Sequence, residues 1–173
     1  MADPLVPRRI VLHCSDTEDG PGNNWQAIRK YHTDPKPGGR GFVEIGYHFG
    51  IEQIGGRLAL LAGRHPYVMG AHCAAAGRNH DSLGICVVGD FDDDPPPLRL
   101  VGVVTSVLAL LCVMHGIAPE TISGHREWEP GKTCPGAKWD MEFTRAMVGE
   151  RLGRLRHSGV TDSHLAIDWL RCM

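Results

Sequence analysis

The sequence predicts an α/β domain built on a central mixed β-sheet flanked by helices. Three observations lead there. Short apolar runs of strand length alternate along the chain with longer runs of helical length. Gly (22) and Pro (12) are frequent among the 173 residues, which suits a loop-rich mixed domain better than a helical bundle. A hydrophobic content of 42% is enough to bury a core, and a chain of this length fits one domain.

Each element follows from local chemistry. Residues 9–13 read as a buried strand ending at His13. Asn23-Asn24 caps a short helix that carries Trp25, Ile28 and either Tyr31 or His32 on one face. Residues 34–41 are a loop by their prolines and glycines, and residues 42–52 form a second strand. Gly55-Gly56 then turns the chain into a hairpin partner at 57–61. Residues 70–82 are irregular, and 83–88 form another buried strand. The acidic, proline-rich stretch 90–97 is a surface turn without the alternating acids and terminal Glu of a calcium loop. A helix at 98–115, apolar on most sides, belongs against the sheet. A short strand at 122–125 leads through the loop 126–136 to a helix at 138–156, with Trp139, Phe143, Met147 and Leu155 on one face. There, Arg145, Arg151, Arg154 and Arg156 against Glu150 form either a solvated helix face or an attraction for anionic polymers. Residues 1–157 make the domain, and 158–173 a tail in which 161–172 form a short docking helix exposing Leu165, Trp169 and Leu170.

Several function classes fall away. Lys and Arg total 18 against 20 for Asp and Glu, so no whole-surface nucleic-acid binder is expected. The first residues show no apolar h-region or small-residue cleavage site. The apolar run 98–114 is interrupted by Arg99, Gly102, Thr105 and Ser106, short of the ~18 residues of a membrane span. A chain made in the cytoplasm, with no membrane insertion, is the expectation. Six cysteines without a CxxC pair argue against a zinc ribbon and a disulfide scaffold. Cys14, Cys86 and Cys112 are expected as buried core thiols.

Three residues stand out as candidate metal ligands. His13 and His125 end predicted strands, and Cys134 follows His125 by nine positions in a loop that can fold back. Two imidazoles and a thiolate suit zinc and leave a fourth position for water, as a hydrolytic zinc requires. A cysteine hydrolase with Cys134 as nucleophile and His125 as base is the competing chemistry.

Five motifs occur in order around this trio: His13-Cys-Ser-Asp-Thr17, Gly46-Tyr-His-Phe49, Gly70-Ala-His72, Asn79-His-Asp-Ser-Leu-Gly-Ile85 and Gly124-His-Arg-Glu-Trp-Glu-Pro-Gly-Lys-Thr-Cys-Pro-Gly136. Together, over residues 8–156, they resemble the zinc-dependent N-acetylmuramoyl-L-alanine amidases that share a fold with peptidoglycan recognition proteins. Within that family they look most like the short amidase endolysins of bacteriophages. The resemblance implies one zinc per chain on His13, His125 and Cys134, with Tyr47 and Lys132 as catalytic residues. Zinc lowers the pKa of its water toward ~7, and the Lys132 ammonium and Tyr47 hydroxyl can steady the oxyanion that attack creates. Strand alternation sends His48 away from the face of Tyr47, into a structural role.

His72 and Asn79 match family positions lining the substrate groove, although either could equally brace a loop, and Thr17, close after His13, is expected to line the groove as well. The stretch from His125 to Cys134 is one residue longer than in the nearest phage members. The implied reaction cuts the amide between the lactyl group of N-acetylmuramic acid and L-alanine in peptidoglycan. A phage lysin of this kind would be a monomer that reaches the wall through a holin-type pore. The alternatives are a non-catalytic peptidoglycan-binding module, in which the third ligand is typically missing, and a muropeptide-recycling amidase, in which it is usually Asp.

Overall fold

The computed structural model describes residues 4–157, which fold around a five-stranded sheet. In chain order the elements are β1 (Arg9–Cys14), α1 (Trp25–Thr33), β2 (Phe49–Ile54), β3 (Arg57–Ala62), β4 (Ser82–Val87), α2 (Leu98–His115), β5 (Ile122–Gly124) and α3 (Met141–His157). The strand order is β3-β2-β4-β1-β5. β1 runs parallel to β4 and β5, β2 runs parallel to β4, and β3 is antiparallel to β2, so the sheet is mixed as expected.

The period-two alternation of strands sorts the residues to two faces. Ile10, Leu12 and Cys14 of β1 and Leu83, Ile85 and Val87 of β4 join the main core with Val104, Leu108 and Cys112 of α2 and Val148 and Leu152 of α3. On the other face, Cys86 packs with Trp25 of α1 and Ile45, and Tyr47 lies against them. Cys14, Cys86 and Cys112 are therefore the buried thiols the sequence predicts. α2 is apolar and long enough by composition to pass for a membrane span, yet it buries Val101, Val104, Leu108 and Leu111 inside the domain.

Local signals explain the element ends. The Asn24 side chain accepts from the Ala27 N–H at 2.9 Å and starts α1. Of the two candidates for the inner face of α1, His32 turns inward against Tyr47 while Tyr31 is exposed. Gly55 (φ 56°) and Gly56 (φ 77°) supply the two positive φ angles of a tight hairpin turn. Gly116, in the left-handed conformation, closes α2.

Two expectations need correction. The strand expected at 42–52 exists only as Phe49–Ile54. Residues 42–47 bond instead to loops and to the end of α1 (Phe42 N–H to the His32 carbonyl at 2.8 Å, Gly46 N–H to His32 Nδ1 at 3.0 Å), and only His48 reaches β4, its N–H donating to the Gly84 carbonyl at 2.9 Å. The last helix begins at Met141 rather than 138, because the Asp140 side chain caps it by accepting from Phe143 N–H at 2.8 Å. The face turned to the core carries Met141, Thr144, Val148 and Leu152, not the expected Phe143 and Met147, and Phe143 is 44% exposed. Trp139 is buried before the helix, its Nε1–H bonded to Thr144 Oγ1 at 3.0 Å.

The basic face of α3 is largely tied down. Arg145 bonds the Ile122 carbonyl, Arg151 bonds Thr105 Oγ1 and the Gly102 carbonyl, and Arg154 pairs with Glu150. The docking helix expected at 161–172 lies outside the described residues.

Candidate active site

The site assembles where parallel strands end, the usual place for ligands in such sheets. His13 is the fifth residue of β1 and 1% exposed, and His125 follows β5 directly in a 3-10 turn (His125–Glu127). Their ring centroids lie 4.7 Å apart. Cys134 returns from the following loop so that its Sγ lies 3.7 Å from His13 Nδ1 and accepts from the Cys14 N–H at 3.2 Å. One ligand atom from each of His13, His125 and Cys134 lies within 4.8 Å of the other two.

The donor chemistry fits a zinc-like ion. Burial, reinforced by His72 and His125, holds the His13 imidazole well below the usual histidine range, so it stays neutral. Burial lowers His125 as well, against the opposing pull of Glu129. The Cys134 thiol is pushed up, first by hydrogen bonding with Cys14 and then by burial. A divalent cation deprotonates a coordinating thiol outright and finds neutral imidazoles ready.

The outer ring nitrogens are also held. His13 Nε2 lies 3.0 Å from His72 Nδ1, and His125 Nε2 lies 3.0 Å from Glu129 Oε2. Metal-ligating histidines nearly always have such partners, which fix tautomer and ring angle. His72 is buried against two glycines: a Cβ on Gly84 or Gly70 would come within 2.4 Å or 2.5 Å of its ring.

Tyr47, half-buried, brings its ring 5.1 Å from that of His13, and burial raises its phenol well above the ordinary range. Lys132 is exposed on the Cys134 loop, near enough to His125 to depress its protonation. His48 is fully buried. Its Nδ1 accepts from Gly84 N–H at 2.9 Å and its Nε2 lies 2.9 Å from the Val68 carbonyl, which makes it a brace between strand and loop. The Asn79 Oδ1 accepts from both His72 N–H and Cys73 N–H at 2.8 Å, so its acceptor braces the His72 loop. Thr17 is exposed beyond β1, with its hydroxyl bonded to Ser15.

Sequence reasoning passed over His32, Glu129 and Arg126. His32 holds Gly46, next to Tyr47, through its Nδ1, and burial lowers its pKa to about 4. Glu129 stands four residues after His125, a spacing that could have flagged it.

Two neutral imidazoles at strand ends and a thiol brought in by a loop, with a tyrosine and a lysine beside them, are the equipment of a metal-assisted hydrolase. The chain belongs to the N-acetylmuramoyl-L-alanine amidase family, enzymes of peptidoglycan hydrolysis, whose sequence pattern matches residues 3–137. It is 31% identical over 132 residues to the endolysin of Escherichia phage T7, covering 73% of this chain and 78% of that one. It is 33% identical over 138 residues to the endolysin of Klebsiella phage KP32, covering 70% and 85%. Among solved structures, the amidase LysC from Clostridium intestinale superposes with a TM-score of 0.68 at 23% identity, covering 84% of this chain and 87% of the other. Drosophila PGRP-LB gives 0.63 at 25% identity, covering 79% of each.

Proposed function

We propose that this amidase uses one zinc ion, held by His13, His125 and Cys134, to cut the amide between the lactyl group of N-acetylmuramic acid and L-alanine, and that its role is bacterial lysis by a phage. The approach of the three ligand atoms to within 4.8 Å carries the reading. Zinc, when bound, supplies Lewis acidity for the scissile carbonyl and the attacking water. The chain's own residues do the rest. His72 and Glu129 hold the outer nitrogens of His13 and His125, so the rings need no reorganisation during turnover. Lys132, as an ammonium, offsets the oxyanion that develops on the carbonyl oxygen. Tyr47 keeps its proton at neutral pH, because burial raises its phenol, and so serves as a hydrogen-bond donor to the same oxygen. His72 and Thr17 contribute to the groove for the stem peptide, and Asn79 acts there through the loop it braces.

The lytic role is supported by the phage relatives, which match over most of their own length. It requires a route across the membrane, such as a holin-type pore. The thiolate ligand also speaks against a binding-only module.

The test is digestion of purified peptidoglycan followed by mass spectrometry. New L-alanine amino termini without new reducing sugars are expected, with loss of activity in EDTA and recovery on adding zinc. Cys134→Ser should lose both zinc and lysis, whereas Lys132→Ala should keep zinc and turn over slowly. Reducing ends would identify a glycosidase. Metal-free protein that binds walls without cutting them would leave a recognition module. Inhibition by iodoacetamide with indifference to chelators would mean a cysteine hydrolase.

A further inference from the structure

The loop from His125 to Cys134 contains Pro130 and Gly131 and is exposed over residues 130–133, just before Cys134, a poor platform for a metal ligand unless something fixes it. Arg126, next to His125, makes four bonds across it. Its backbone N–H donates to the Cys134 carbonyl at 2.8 Å. Its guanidinium donates to the Thr133 carbonyl at 3.2 Å, to the Gly136 carbonyl, and to the Trp139 carbonyl at 2.6 Å. These acceptors flank Cys134 on both sides. From the opposite direction, Asp92 takes the Thr133 hydroxyl and the Ala137 N–H, each at 2.8 Å.

We infer that Arg126 is the positioning residue that sets Cys134 against His125, making one rigid unit of the two ligands. The inference rests on the reading of both as metal ligands. Its donors are used on backbone carbonyls, so it acts through the placement of the sulfur and not on substrate. The role needs a planar fork of five donors; a lysine ammonium is a point charge on a flexible stem and cannot span three carbonyls set apart in this way. Arg126 therefore couples the ligands through geometry.

The test uses full-length protein with Arg126→Lys, Arg126→Ala and, as a control, Arg154→Ala, whose arginine pairs with Glu150 on the surface of α3. Zinc affinity is measured by competition with a chromophoric chelator. Cobalt(II) substitution reports thiolate coordination through its near-ultraviolet charge-transfer band and tetrahedral geometry through its visible bands. Both Arg126 variants should bind zinc at least about tenfold more weakly, as loss of an outer-shell partner typically does, and show shifted or weakened cobalt bands. Arg154→Ala should match the wild type. Arg126→Lys keeps the charge and most of the stem, so it decides the question if Arg126→Ala fails to fold. Folded Arg126→Lys with wild-type zinc affinity and wild-type cobalt spectrum overturns the inference. Failure of the wild type itself to bind zinc or cobalt would instead overturn the metal reading on which it stands.

Discussion

Gly84→Ala separates two physical expectations by sign. β-Strand statistics alone favour the change, since alanine loses less backbone entropy on folding than glycine, by roughly 0.5–1 kcal/mol. The structure predicts the reverse. A Cβ at Gly84 would sit 2.4 Å from both Cγ and Cδ2 of His72 and 2.8 Å from its Nδ1. Carbon atoms pack at about 3.5–4.0 Å, so the ring must retreat by about 1 Å. Its escape is limited: the Gly70 backbone presses from another side, and the His48 ring stands 5.6 Å away, centroid to centroid. Retreat also breaks the 3.0 Å contact between His72 Nδ1 and His13 Nε2. Overpacking of this kind costs about 1–3 kcal/mol and the lost hydrogen bond about 1, for a total of about 2–4 kcal/mol. For a domain of this size that is roughly 5–15 °C in Tm. Urea and thermal unfolding of Gly84→Ala, His72→Ala and the double variant measure it as a cycle. Truncating the ring removes the clash, so the double variant should be more stable than the sum of the singles by at least about 1 kcal/mol. A Gly84→Ala protein as stable as wild type, or an additive cycle, would refute the reasoning.

The other predictions are smaller in scope. Asn79→Ala strands the N–H groups of His72 and Cys73 and should destabilise by about 1–3 kcal/mol, read by urea denaturation, with little change in KM if bracing is its main role. Glu129→Gln should weaken zinc binding about 10- to 100-fold in chelator competition, whereas a mere surface ion pair would leave it unchanged. His48 titrates at about 4 in the fold because of burial, against about 6.5 in an unfolded chain. Below pH ~6.5 the unfolded chain takes up a proton that the fold refuses, so stability present above that pH is lost as pH falls toward 4, by about 3 kcal/mol. His48→Gln keeps one acceptor and one donor but cannot titrate, and its urea midpoint should fall less between pH 7 and pH 4.5.

What could be read from the sequence was local or already organised by motif. The Asn24 cap, the Gly55-Gly56 turn and the two short strands that end within one residue of the expected His13 and His125 each depend on neighbours within a few residues. The failures share a different cause. Residues 42–47 resemble a strand in composition, but their backbone hydrogen bonds go to His32, Arg64 and Ala71, partners that no local pattern announces. The start of α3 turned on a single cap, Asp140, and its buried face was set by packing against the core rather than by its own weak apolar pattern. Arg126 and Glu129 sit in plain view beside His125, yet their roles exist only once the loop folds back.

The same strands that build the core also build the site, by spending small residues on one face. β4 sends Leu83, Ile85 and Val87 into the main core, while its alternate positions are Gly84 and Cys86. β2 does likewise: Gly50, paired with Cys86, leaves room for the Trp25 ring, which a Cβ there would meet at 2.5 Å. Large side chains at these positions would have filled the site-facing side of the sheet and displaced the His72 and Trp25 rings packed against it. The glycines thus do for the site what the branched residues do for the core: they decide which rings fit, and at what distance from His13. That is why a strand reading as simply buried can back the candidate site, and why enlarging Gly84 should reach His72 and, through it, His13.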